Sequence, residues 1–134
     1  MSARIDVHRY LAGPQELRRQ ELVWGVVREP PAPLCDHQPV VTHVLVMLAS
    51  YAATHKLGRV LVSPVDVVLD EAKNLVVQPD IVFVSRERPD IIGNQIWGAP
   101  DLVVEVLSAG TRDHDLTTKR DWYAQYGVRE YWTI

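Results

Sequence analysis

Cysteine occurs once in the 134 residues, at Cys35, so neither an intrachain disulfide nor a thiolate metal cluster can form. His43, His55 and His114 have no zinc-ligand spacing, which removes zinc as well. No apolar run reaches the ~18 residues of a membrane span, and Arg4, Asp6, His8 and Arg9 interrupt any signal-like core at the N-terminus. The expectation is a soluble, cytoplasmic protein without a membrane partner. An excess of positive charge is also missing: the formal net charge is -3, so any contact with nucleic acid has to be local. Repeats, low-complexity tracts and Gly/Ser linkers are absent, and 47% apolar with 23% charged residues exclude a disordered tail. A single domain over residues 1–134 is expected, with residues 1–20 as an N-terminal helical extension.

The one Pro-rich stretch, Pro30-Pro31-Ala32-Pro33, precedes a segment in which Val40, Val41, Val44, Leu45, Leu48, Tyr51 and Ala52 form one helical stripe. That spacing predicts a helix from His37 to Leu57, with Asp36 as N-cap and Gly58 as stop. Before it, Ile5 to Leu11 reads as a short helix and Glu21 to Arg28 as a strand. Beyond it, Val60 to Leu69 reads as a strand that turns at Asp70-Glu71-Ala72-Lys73-Asn74 into Leu75-Val76-Val77. The hairpin's second strand is interrupted or bent at Pro79 and continues as Ile81 to Val84. Arg86 to Ala99 reads as a polar loop, Leu102 to Leu107 as a strand buried on both faces, Leu116 to Tyr126 as a helix and Val128 to Ile134 as a last strand. This order predicts an α/β fold with a mixed sheet flanked by helices. The chain stops inside apolar, strand-like sequence at Tyr131-Trp132-Thr133-Ile134. The expectation is that C-terminal strands are missing or that a second copy of the chain covers this edge.

Glu105 is the anomaly. It stands in the middle of the apolar run LVVEVL, where an ionised carboxylate costs several kcal/mol unless something positive compensates it. A buried arginine and a metal ion are both open readings. Asp80, after Pro79, opens the neighbouring strand, and two carboxylates on adjacent strands can share a hard cation such as Mg²⁺. Asp101 lies four residues from Glu105 on one strand, about 13 Å away, and is read as a strand-start or turn residue, with Asp90 in a loop. Leu116, Lys119, Tyr123 and Tyr126 follow the 3-4-3 spacing of one helical face, which turns Lys119 toward the sheet. The bland alternative for Lys119 is a surface pair with Asp115. Glu21 is read first as an exposed strand-start residue, His37 as a solvated first-turn residue, and Trp97, Trp122 and Trp132 as packing residues.

Gln78-Pro79-Asp80 with Ile81 to Val84, then Gly98 through Ser108, then Thr111-Arg112, Asp115, Lys119, Tyr123 and Gly127 to Trp132 resemble the Uma-type putative restriction endonuclease family, within the PD-(D/E)XK nuclease superfamily. The resemblance runs from about Glu21 onward. It implies a restriction-endonuclease-like core and cleavage of a DNA phosphodiester that depends on Mg²⁺, with Mn²⁺ as a substitute. Asp80 and Glu105 would hold the metal, and Lys119 would replace the lysine usual two residues after the strand glutamate, where this chain has Leu107. Glu21 would be an additional acidic residue, and His37 resembles a recurrent histidine of the family. The competing expectation is an inert nucleic-acid-binding or assembly domain that keeps the fold without turnover.

Overall fold

The computed structural model describes residues 3–14, 19–30 and 35–134. Part of the expected N-terminal extension and most of the Pro-rich stretch lie outside them. The order is α1 (Val7–Ala12), β1 (Glu21–Val23), β2 (Val26–Arg28), α2 (His37–Thr54), β3 (Gly58–Val62), β4 (Val67–Asp70), β5 (Leu75–Val77) and β6 (Ile81–Ser85). A 3₁₀ turn (Pro89–Ile91), β7 (Ile96–Trp97), β8 (Leu102–Glu105), a π-helical turn (His114–Lys119), α3 (Arg120–Tyr126) and β9 (Glu130–Thr133) complete it.

The strands form two sheets where the sequence predicts one. One runs β2-β1-β5-β4-β7 and the other β3-β6-β8-β9, with β9 parallel to β8 at its edge. The predicted strand Val60 to Leu69 is divided between them, because Ser63 to Asp66 carries the chain from β3 to β4. Pro79 lies at a second crossing, since β5 and β6 also belong to different sheets. A proline has no N–H for a ladder, so it marks the break between sheets rather than a bend in one strand. The predicted strand Glu21 to Arg28 is a hairpin whose two turn residues, Trp24 (φ 51°) and Gly25 (φ 86°), are left-handed, as a tight two-residue turn requires. The predicted polar loop contains β7, which pairs parallel to β4.

Period-two alternation sorts the side chains into layers. Val82, Val84 and Val103 face the second sheet and pack with Val67, Leu75, Val77, Trp122 and Tyr123. Ile81, Leu102, Val104 and Val106 face the other way and receive Val41, Val44, Leu45 and Leu48 of α2. On the far side of the second sheet, Leu22, Val68 and Val76 pack on Val7 of α1. Each such fully buried aliphatic side chain contributes about 1.5–3 kcal/mol relative to exposure.

α2 departs from its predicted stripe at the end. It stops at Thr54, Tyr51 is exposed, and Gly58 is the first residue of β3. A Cβ at Gly58 would fall on the Val84 carbonyl, so glycine is required there by the close approach of β6, not as a helix stop. Asp36 precedes α2, but its side chain makes no capping hydrogen bond. Among the described residues no helix is long and apolar enough to cross a membrane.

Candidate active site

The strand parity that builds the core also builds a polar cluster at one end of the space between the sheets. On β8, Glu105 shares the inward face with Val103; before β6, Asp80 shares it with Val82 and Val84; on β1, Glu21 shares it with Val23, while Leu22 points outward. The antiparallel register pairs Ile81 with Val104, which sets Asp80 opposite Glu105 one step further along. The Asp80 amide donates to Glu105 Oε1 (3.2 Å), and the Val106 amide donates to Asp80 Oδ2 (2.7 Å). Like charges directly opposite on neighbouring strands repel, so the pair depends on cations.

Two cations supply that. Lys119, at the junction between the π-helical turn and α3, places Nζ 2.7 Å from Glu105 Oε2 and 2.7 Å from Glu21 Oε2. The predicted inward stripe therefore delivers Lys119 to the site. The surface pair with Asp115 does not form: Asp115 is itself buried, because the π-helical turn alters the alignment of residues before α3. Glu21 is likewise buried rather than exposed, since β1 is covered on its inward face by the other sheet and α3. Arg19 is the second cation. Its Nη2 lies 3.0 Å from Glu105 Oε1 and its Nη1 3.2 Å from Asp80 Oδ1. Both readings left open for Glu105 thus bear on one place, a partly buried arginine standing between two carboxylates that could share a metal.

The surrounding residues hold these groups in position. Arg19 also donates from Nε and Nη2 to the Gln78 carbonyl, and the Gln78 amide donates to Glu21 Oε2 (2.8 Å). The Tyr123 hydroxyl donates to Glu105 Oε2 (3.3 Å). His37, buried rather than solvated because the start of α2 abuts the end of β8, contacts the Val106 carbonyl through Nε2 (3.1 Å) and lies 3.4 Å from Asp80 Oδ2. Asp101 stands at the opposite end of β8, where it accepts from the Ser85 amide (2.7 Å), and Asp90 is exposed in the 3₁₀ turn. Trp122 packs in the core, whereas Trp132 is exposed.

The electrostatics divide the carboxylates. Burial pushes Glu105 up, but Lys119 and Arg19 outweigh it and its pKa falls below the usual value. Asp80 shares Arg19 but not Lys119, so burial, reinforced by Glu105, leaves its pKa raised. Burial disfavours the Lys119 ammonium, yet Glu105 and Glu21 together raise its pKa above the ordinary lysine value. Asp115 is pushed up to about 6 by burial and then by Glu105. The Tyr123 phenol is also raised, by burial and Glu105, which keeps it a neutral donor.

The profile of the Uma2 family, described as "Putative restriction endonuclease", matches residues 7–134. The chain belongs to the Uma2 family. A crystal structure of "a putative nuclease belonging to DUF820" from Anabaena variabilis superposes with a TM-score of 0.84 at 19% identity, over 97% of this chain and 73% of that one. At that identity the likeness establishes a shared fold. No curated protein matches the sequence.

Sequence reasoning did not single out Arg19 in this Uma2 chain, and it gave Gln78 no role beyond its place in the resemblance. The demand for a positive partner at Glu105 was legible, but the partner lies 86 residues away, beyond the reach of local periodicity. Among the described residues no three His, Cys, Asp or Glu side chains surround one point as a cation cage. Two carboxylates joined by one cation nevertheless fit Mg²⁺, which commonly binds to one or two carboxylates and keeps waters and substrate oxygens as its other ligands.

Proposed function

We propose that this chain is a Mg²⁺-dependent endodeoxyribonuclease that hydrolyses DNA phosphodiester bonds, with Mn²⁺ able to substitute. Asp80 and Glu105 would hold the ion, and Lys119 would complete the catalytic set. The observation that carries this reading is the meeting of Asp80 and Glu105 on one cation while Lys119 occupies the other oxygen of Glu105. Membership of the Uma2 family supports the nuclease class.

A divalent cation at these carboxylates would polarise the scissile phosphate and lower the pKa of the attacking water. The chain's own groups then have distinct tasks. Lys119, held by Glu21 and Glu105 with its proton secured, serves as a fixed positive charge that orients water and offsets the negative charge developing on phosphate. It is not a proton acceptor at neutral pH. Glu21 keeps that ammonium in place, and His37 braces the end of β8 beside Asp80.

A second reading, an inert nucleic-acid-binding or assembly domain, is favoured by one observation: Arg19 already neutralises the two carboxylates. Plasmid nicking in Mg²⁺, Mn²⁺ and EDTA separates the two. The nuclease reading expects metal-dependent nicking by the wild type, at least about 100-fold slower in Asp80→Asn and Lys119→Met, with each variant checked for folding by circular dichroism. Nicking that survives in both variants refutes the residue assignment. Absence of nicking on supercoiled, linear and single-stranded DNA puts the inert domain ahead.

We also propose a homodimer through the β9 edge, where Trp132 and Ile134 are exposed. A monomer mass by light scattering at high concentration refutes it.

A further inference from the structure

Among the described residues, the ion pairs of the cluster join three buried carboxylates, Glu21, Asp80 and Glu105, to two cations, Arg19 and Lys119. With each of these five groups in its ordinary charge state, they sum to one negative charge in a place where charge is expensive. Replacing a monovalent cation by a divalent one would leave none. The two cations are not equally replaceable. The Lys119 side chain is 3% exposed, closed in under α3, and engages two carboxylates at 2.7 Å. The Arg19 side chain is 18% exposed and engages its carboxylates at 3.0 and 3.2 Å. Arg19 also has an anchor independent of them, since Nε and Nη2 both donate to the Gln78 carbonyl.

We propose that Arg19 is a tethered stand-in for the divalent cation: its guanidinium bridges Asp80 and Glu105 when no metal is bound, and a metal ion enters by taking those two oxygens from it. This rests on the metal-dependent reading above and adds a residue that sets how much metal the site needs. A guanidinium stays charged at any physiological pH, so Arg19 does not release the bridge by losing its proton, and a competing cation can displace it. Because the site is binding-competent only in the fraction of molecules in which Arg19 has let go, its apparent metal affinity is lowered by that fraction.

Calorimetric titration of the full chain with Mn²⁺ and with Mg²⁺, alongside thermal melts with and without metal, tests this on wild type, Arg19→Ala, Arg19→Gln and Asp80→Asn. The expected result is that Arg19→Ala and Arg19→Gln bind Mn²⁺ about tenfold or more tightly than wild type. Both should also melt lower than wild type in EDTA, and Mn²⁺ should close the gap. If Arg19→Ala does not fold in EDTA, recovery of its fold on adding Mn²⁺ supports the proposal. Arg19→Gln binding Mn²⁺ no more tightly than wild type overturns it, while leaving the metal-dependent reading intact provided Asp80→Asn loses the binding. Heat of binding in neither wild type nor the Arg19 variants overturns both.

Discussion

The two faces of the four-stranded sheet are made by the same strands and differ in everything else. Toward α2, Ile81, Leu102, Val104 and Val106 form a surface of aliphatic side chains held by packing alone. Toward the second sheet, Val82, Val84 and Val103 give way at one end to Asp80 and Glu105, whose burial is supported by Arg19 and Lys119. The first face tolerates substitution in proportion to lost volume. The second fails when charges become unmatched, because a buried charge without its partner costs more than a cavity of similar size. Stability and chemistry are thus stacked back to back across one strand thickness.

The polar face is most vulnerable at Glu105. Glu105→Ala leaves Lys119 and Arg19 without their shared acceptor and should cost about 3–5 kcal/mol, read as a fall in the urea midpoint. On the opposite face Ile81→Ala should cost about 2–5 kcal/mol by cavity formation and leave the metal affinity of the folded protein unchanged. Equal loss of metal binding in both variants would mean that the two faces are not independent.

A smaller effect sharpens the polar side. Asp115 holds its proton more tightly in the fold than in the unfolded chain, with a pKa of about 6 against 3.8. The folded state therefore binds more protons across that interval, and this group's contribution makes stability fall as pH rises from about 4 to 6. Asp115→Asn should remove that part of the slope, so that the variant gains on wild type between pH 4 and pH 7 in urea denaturation. An unchanged difference across that range would place the Asp115 carboxyl in water-like surroundings.

Much of the site was legible before the fold was known, for identifiable reasons. The inward turn of Lys119 followed from a helical stripe shared with Tyr123, and both are buried together. The oddity of Glu105 followed from a charged residue within an apolar strand. Other readings failed where local pattern is silent about neighbours. Glu21 at a strand start and His37 at a helix start have the sequence context of exposed residues, and they are buried because distant elements cover them. The alternative i,i+4 pair of Asp115 with Lys119 presumes α-helical spacing, which does not describe the π-helical turn in which Asp115 lies.

Residue order along the chain sets the alternation that gives each strand two faces, the inward stripe that carries Lys119, the need for positive charge at Glu105, and the resemblance to a nuclease family. These are properties of neighbours along the chain or of residue types. Long-range packing divided the strands into two sheets around one core and set Asp80 opposite Glu105. It also decided which cations meet the carboxylates: Arg19 reaches Glu105 across 86 residues and Lys119 reaches Glu21 across 98. Contacts that distant leave no periodic trace, because their partners are chosen by the register and stacking of whole sheets and not by the spacing of side chains within one element.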